Sequence, residues 1–216
     1  MNGADLAGRV VVLTENPRGL APAVADVLAE RGAIVERVRV EDAPRLVPEV
    51  ARRRGRIDAA VLAHARLPAA PNVGVPVGAL DAEVLGAALV RDVGGAVACL
   101  AALAPVMAAR GRGRVVVVAG TLGLRGFAGM GAVTAVQHAL VGLVQATARE
   151  WSATPLRICA ACPGLVETEE MRTLVGGVFP LMPARTVAGM IAVLCSDAAS
   201  AVSGTAVVMD GGASGF

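Results

Sequence analysis

The fold is decided by the stretch 113–130, which reads Gly113-Arg-Val-Val-Val-Val-Ala-Gly-Thr-Leu-Gly-Leu-Arg-Gly-Phe-Ala-Gly-Met130. Its valine run has no polar alternation, which is typical of a parallel strand buried on both faces. On both sides of this stretch, further strands are predicted by similar apolar runs at 10–13, 34–40, 58–63, 156–161 and 206–209. Helical patterns separate these runs. This alternation predicts a Rossmann-like α/β fold, a doubly wound parallel sheet in a single domain over residues 1–216.

The composition excludes several kinds of chemistry. The chain has 216 residues, no Tyr and no Lys, so all 20 basic residues are Arg, and no phenol or amine is available for catalysis. Net charge is +2, and the one short basic run, Arg52, Arg53 and Arg54, suits the end of a helix. We therefore expect no nucleic-acid partner.

The sequence also predicts a cytoplasmic protein that does not enter the membrane. Asp5 and Arg9 interrupt any signal-like apolar segment at the start. Residues 126–148 are uncharged, but their glycines, glutamines and histidine fit a helix buried against protein better than one in lipid. The four cysteines have apolar neighbours, and Cys159 and Cys162, three apart on a strand, point to opposite faces. We predict reduced core thiols and no metal site.

Several blocks in order resemble the short-chain dehydrogenase/reductase family. They are the opening β-α-β unit from Leu6-Ala-Gly-Arg-Val, the central block 113–143, the loop Cys162-Pro-Gly-Leu-Val-Glu-Thr168, and the end, which includes 196–205 and Val208-Met-Asp-Gly-Gly. The likeness spans nearly the whole chain. It implies the Rossmann-like fold and an ancestry of NAD(P)-dependent hydride transfer.

The catalytic residues that the resemblance implies are absent. The family's Ser falls on Gly120, its Tyr on Val133, its Lys on Gln137 and its helix Asn on Asp92. These replacements remove the general acid, which is typically worth roughly 10²- to 10⁴-fold in rate. Thr121, one residue beyond the Ser position, is a candidate replacement because it can reach the mouth of the pocket. The sequence predicts that the chain is inactive alone.

The cofactor residues that the resemblance implies are also altered, and we expect no bound cofactor. The family's glycine-rich first turn reads Thr14-Glu-Asn-Pro-Arg-Gly-Leu-Ala21, so Glu15 brings a negative charge to the expected pyrophosphate site. The segment after the second strand is short, which predicts that one edge strand and its helix are missing. The positions carried over by the resemblance are Thr14, Glu15, Arg18, Gly19, Ala21, Arg39, Pro163, Gly164 and Thr168.

Two alternatives keep an activity. In the first, Arg18 and Arg39 bind the 2′-phosphate of NADP(H) weakly and the substrate supplies its own proton; solvated charges are the simpler interpretation of both arginines. In the second, His64, at the carboxyl end of a strand, forms a new acid/base pair with Asp92 for a cofactor-free lyase or isomerase reaction. We interpret His138 as an interface or core residue.

The helices near 81–109 and 130–152 are apolar on most of their surface, which predicts an oligomer. Family members pair through these helices, and some assemblies combine an active chain with a degenerate sister. We therefore expect a non-catalytic subunit that supports an active short-chain dehydrogenase in a heterodimer or heterotetramer, or one that pairs with itself. The Arg-only, Ala-rich composition favours a role in secondary metabolism.

Overall fold

A computed structural model describes residues 6–66, 73–175, 177 and 179–215. Six parallel strands form one sheet in the order β2-β1-β3-β4-β5-β6, as the alternation of strand and helix patterns predicts. The strands are β1 (Val10–Thr14), β2 (Ile34–Val38), β3 (Ala59–Leu62), β4 (Gly113–Val118), β5 (Leu156–Pro163) and β6 (Ala206–Met209). The Rossmann-like fold class is confirmed.

Helices cover both faces of this sheet. They are α1 (Ala21–Glu30), α2 (Ala43–Arg54), α3 (Ala82–Ala88), α4 (Gly95–Ala109), α5 (Gly131–Glu150), α6 (Glu169–Val175) and α7 (Ala184–Leu194). A π-helical turn, Leu89–Gly94, joins α3 to α4, so the predicted long helix is continuous but widened in its middle. The sequence analysis did not predict α6, which is only seven residues long.

Two apolar cores lie on opposite faces of the sheet. The first packs α1 and α7 against the sheet, and the second packs α2, α4 and α5 against the other face. Cys159 belongs to the first core and Cys162 to the second, which confirms that the pair points to opposite faces. Burial raises the pKa of both thiols to about 11, so neither is a thiolate at neutral pH.

The sheet ends at β2, and α2 leads from β2 directly to β3. The predicted loss of one edge strand with its helix is therefore confirmed. Charged side chains occupy this edge: Glu36 pairs with Arg53 and Arg54, and Arg37 pairs with Glu15. The basic run does close α2, as predicted.

One stretch in the described part of the chain, Ala82–Ala109, is long and apolar enough to cross a membrane by length and composition. This stretch is not residues 126–148, the uncharged segment for which the sequence analysis considered a membrane span. A third of its most apolar window is buried, and long core helices of water-soluble proteins meet the same measure. The cytoplasmic location stays a prediction.

Candidate functional site

The fold brings most of the predicted site residues to the carboxyl edge of the sheet, because the first turn follows β1, His64 follows β3, Gly120 follows β4 and Gly164 follows β5. Open α/β sheets bind ligands at this edge. A catalytic role at this edge requires a side chain whose reactive atom is not already hydrogen-bonded within the protein.

His64 is only 3% exposed, and both of its ring nitrogens are engaged. Nε2 lies 3.0 Å from the backbone carbonyl of Asp92, which can only accept, so Nε2 carries the proton. Nδ1 then accepts from the Thr14 hydroxyl at 2.9 Å, and that hydroxyl accepts the Ala63 N–H at 3.0 Å. Burial lowers the pKa of His64 below 6.5, so the ring is neutral at pH 7.

The Asp92 side chain is fully buried and is held by its neighbour. Arg91 donates Nε to one carboxylate oxygen and Nη2 to the other, both at 2.7 Å. His64 therefore contacts the backbone of Asp92 and not its carboxylate, so the predicted acid/base pair is not formed. The reason is that the π-helical turn directs this carbonyl toward β3 while the carboxylate is taken by Arg91.

At the positions where the resemblance places the family's catalytic groups, the side chain of Gln137 lies against Gly120. A Cβ added to Gly120 would lie 2.6 Å from Oε1 of Gln137, so the Gln137 amide lies directly against the backbone at 120. That oxygen is buried without a hydrogen-bond partner among the described residues. Val133 is buried and apolar. Thr121 is half-buried and starts a short 3₁₀ turn, which leaves its proposed role at the pocket mouth a prediction.

The first turn is filled from within by Asn16, a residue that the sequence analysis did not single out. Asn16 is buried, and its amide nitrogen donates to the carbonyl of Ala65 and to the carboxylate of Glu170. A Cβ on Gly19 would lie 2.7 Å from this amide nitrogen. Gly19 is thus needed to make room for Asn16, and the turn closes on its own side chain.

Helix α6 is held against the same turn by hydrogen bonds. The Glu170 N–H donates to the carbonyl of Arg18, and the Arg18 guanidinium donates to Glu169. Thr168 caps this helix, because its hydroxyl accepts the Met171 N–H at 3.1 Å. The family's Pro-Gly-x-x-x-Thr loop therefore positions α6, and two carboxylates stand beside the first turn.

The donors of the turn do not fit a pyrophosphate. A phosphate cradle needs backbone N–H groups that point outward at a helix N-terminus. Here the Glu15 N–H donates to Val38 of β2, and those of Arg18 and Gly19 donate to Asn16. Pro17 and Pro22 have no N–H at all. With these donors engaged, two prolines present and the carboxylates of Glu169 and Glu170 nearby, this turn fits a pyrophosphate less well than a glycine-rich turn would.

The sequence analysis expected Glu15 to bring a negative charge to the pyrophosphate site, and the structure corrects this expectation. The Glu15 side chain turns away to pair with Arg37 of β2, which neutralises it, so Asn16 and α6 rather than Glu15 close the turn. The two arginines considered for NADP(H) are also paired, Arg18 with Glu169 and Arg39 with Asp42. These pairs are exposed, and such pairs are weak.

The other predicted residues have structural contacts. Ala21 is buried at the start of α1, and Gly164, after Pro163, lets the chain approach Asp210, where a Cβ would come within 2.8 Å. His138 is exposed on α5 and donates Nδ1–H to the Thr134 carbonyl, so it is not a core residue. An interface role for His138 stays a prediction.

No cluster suited to a metal is found among the described residues.

The chain is similar to known proteins in both sequence and structure. A family model described as Enoyl-(Acyl carrier protein) reductase matches residues 6–214. Dehydrogenase/reductase SDR family member 4 of Oryctolagus cuniculus is 30% identical over 208 residues, covering 91% of this chain and 78% of that protein. Cis-4-hydroxycyclohexanecarboxylate dehydrogenase of Sinomonas cyclohexanicum is 29% identical, covering 97% and 98%.

The fold is shared with solved structures. The crystal structure of a short chain dehydrogenase from Salmonella enterica serovar Typhi superposes with a TM-score of 0.86 at 18% identity, covering 96% of this chain and 98% of that one. The six-stranded sheet and its flanking helices are therefore those of this structural group.

Proposed function

This chain belongs to the short-chain dehydrogenase/reductase family, and from that premise we propose that it is a non-catalytic subunit that pairs with and supports an active NAD(P)-dependent member. Membership of this oxidoreductase family is carried by the match over residues 6–214. The non-catalytic role is our proposal. The observation that supports it most is the Gln137 amide packed against Gly120, where the family has a hydroxyl and an ammonium.

Carbonyl reduction needs a group that delivers a proton to the developing alkoxide. Val133 has no such group, and His64 holds its proton on a backbone carbonyl. The carboxylate of Asp92 is bound by both arms of Arg91. None of Val133, His64 and Asp92 could therefore supply the proton to a substrate placed beside Gly120, and the role of Thr121 stays a prediction.

We further propose that the chain has no resident dinucleotide. Asn16 fills the first turn, and α6 closes it with the carboxylates of Glu169 and Glu170. Binding a pyrophosphate would require α6 to leave and Asn16 to give up its hydrogen bonds. The partner subunit would then supply both the cofactor and the chemistry.

The helix faces that would contact the partner are apolar and open. Along the π turn and α4 the exposed residues recur every three or four positions without a charge: Val90, Gly94, Val97, Ala101, Pro105 and Ala108. Val90 is 75% exposed and Val97 is 49% exposed. On α5 the exposed residues are mixed: they include Ala135, Gly142 and Ala146, but also His138, Gln145 and Arg149. Nothing lies within 4 Å of a Cβ built on Gly142 or Gly94. Small residues at these positions suit close approach of a second pair of helices.

The first experiment asks whether the purified chain is an enzyme alone. We expect no saturable heat on calorimetric titration with NADPH or NADH, and no oxidation of either with a panel of ketones and aldehydes. An active short-chain dehydrogenase handled in parallel is the positive control. Turnover by the chain alone that survives repurification would refute the proposal.

The second experiment tests the partnership. The tagged chain is recovered from its own cells, and we expect it to bring down a short-chain dehydrogenase that keeps the family's Ser, Tyr and Lys. Adding purified chain to that enzyme should raise its turnover or its thermal midpoint. Val97→Arg on the apolar stripe should abolish both effects. Met190→Arg, an equally apolar and 44% exposed position on α7 across the sheet, should not.

A second candidate is an atypical NADP(H)-dependent oxidoreductase, which the dehydrogenase names of the relatives favour. It would require Arg18 and Arg39 to exchange Glu169 and Asp42 for the 2′-phosphate. Micromolar NADPH binding that falls on Arg39→Gln would select this candidate over the first. The cofactor-free lyase or isomerase is not carried forward, because His64 and Asp92 are both engaged elsewhere.

A further inference from the structure

At the amino edge of the sheet, opposite the crevice described above, two arginines stand side by side. Arg114 of β4 is in register with Arg157 of β5. Val116 and Cys159, two residues further along each strand, both lie in the first core, so the two arginines share that face of the sheet. Like charges directly opposite each other on neighbouring strands are destabilising unless something neutralises them.

The acceptors of these two arginines are uncharged. Arg114 donates Nη1 to the carbonyl of Ala199 at 2.8 Å. Arg157 donates Nη1 to the carbonyls of Thr154 and Leu156, each at 2.7 Å. In the described part of the chain, no ion pair joins either guanidinium to a carboxylate. Each guanidinium therefore donates only to backbone carbonyls, and Asp197 acts on the charge of Arg114 without a direct ion pair.

The nearby carboxylates are already committed. Asp197 accepts from Arg9 and from Arg112. Asp58 accepts from Arg56 through both oxygens and from the Val10 N–H. Neither carboxylate can turn to the arginine pair without abandoning its own partners. The amino edge thus keeps an excess of positive charge, and burial lowers the pKa of Arg114, which shows how poorly its charge is solvated.

The pair faces an open cavity of about 470 Å³. Its charged lining consists of Arg112, Arg114 and Arg157 together with the carboxylates of Asp58 and Asp197, which are already paired with Arg56, Arg9 and Arg112. Arg157 also lines a neighbouring cavity of about 640 Å³, to which α5 contributes Arg149. The space is sufficient for a small organic molecule, and three arginines face two aspartates in the lining of the first cavity.

We propose that this cavity is a binding site for a phosphate-class oxyanion, free or as the ester of a small molecule, held between Arg114 and Arg157. The planar guanidinium fork matches two phosphate oxygens at once, and two such forks balance the double negative charge of a phosphate. The site lies at the start of β5, about 20 Å of extended strand away from Pro163 at the other edge. It is therefore independent of the cofactor crevice and of the function proposed above.

The test is calorimetric titration of the purified chain with inorganic phosphate and with glycerol phosphate, with chloride holding the ionic strength constant. We expect saturable binding of at least one of them, at one site per chain. Tighter binding of glycerol phosphate identifies an ester site, and tighter binding of inorganic phosphate identifies a free-ion site. Phosphate that behaves as chloride does would overturn the proposal.

Three variants locate the site. Arg157→Gln should weaken phosphate binding at least tenfold, whereas Arg52→Gln, which removes an exposed arginine of α2, should leave it unchanged. Ser200→Glu places a carboxylate in the cavity itself, so it should abolish phosphate binding and raise the thermal midpoint by satisfying the arginines. Wild-type phosphate affinity in both Arg157→Gln and Ser200→Glu contradicts the assignment, and if Arg157→Gln does not fold, Ser200→Glu decides alone.

Discussion

Lowering the pH should destabilise this protein through a single buried ring, His64. In the folded chain Nε2–H donates to the Asp92 carbonyl and Nδ1 accepts from the Thr14 hydroxyl. A second proton on Nδ1 would meet the hydroxyl hydrogen of Thr14, and the charged ring would be buried without a carboxylate contact. Burial accordingly lowers the pKa of His64 in the folded state.

The sign and size follow from linkage. An unfolded histidine binds its proton below a pKa of about 6.5, whereas folded His64 resists protonation, so stability is complete above that pH and falls as the pH decreases. If the folded ring stays neutral down to pH 5.5, the free energy of unfolding falls by about 1.4 kcal/mol between pH 7.5 and 5.5. Aspartates titrate lower and contribute little in this window.

Urea unfolding between pH 7.5 and 5.5 measures this loss. The same series on His64→Gln should lack the histidine contribution, so the two stability profiles converge as the pH decreases. The sequence has only two histidines, so proton titration followed by NMR gives two ring signals, and His138→Gln assigns them. Parallel stability profiles, or a His64 ring that protonates at or above pH 6.5, would refute the reasoning.

Three further predictions concern packing. Gly95→Ala places a Cβ 2.6 Å from a methyl of Val40 and should lower the free energy of unfolding in urea by about 1–3 kcal/mol. Gly94→Ala is the control, because nothing lies within 4 Å of a Cβ at that position, and it should not destabilise the protein. Equal effects of the two substitutions would contradict this packing. Glu170→Ala removes one of the two acceptors of the Asn16 amide, the one on α6, and should speed tryptic cleavage after Arg172 several-fold. An unchanged rate would show that α6 is held by other contacts. The four buried thiols, whose pKa values burial raises to about 11 or 12, should be inert to a disulfide reagent at pH 7.5 and react fully in denaturant; rapid labelling of the native chain would contradict their burial.

Much of the fold could be predicted from local pattern. The valine run before Gly120 and the apolar runs of β1, β3 and β5 are buried almost throughout, and such burial can be predicted from residue type. The missing edge strand was visible as a short connection. Helix α6 was not predicted, because seven residues carry too little periodicity. Its one signal was Thr168 before two glutamates, a combination that favours the start of a helix.

The site was harder to predict, since its contacts join segments far apart in sequence. The absence of the catalytic groups at Val133 and Gln137 is a matter of residue identity and could be seen directly. What closes the first turn could not, because Asn16 meets Glu170 across 154 positions. Likewise His64 has a plausible acid nearby in Asp92, but only the structure shows that it contacts the backbone carbonyl of that residue instead.

The shortened sheet has a consequence for how the protein behaves at high concentration. With the outer strand gone, β2 presents a row of unpaired backbone groups to solvent, the kind of template on which other chains add strands and aggregate. The ion pairs of Glu36 and Arg37 put charged side chains on that border. A neighbouring strand approaching it would have to bury these charges, so we expect them to oppose edge-to-edge association of two chains.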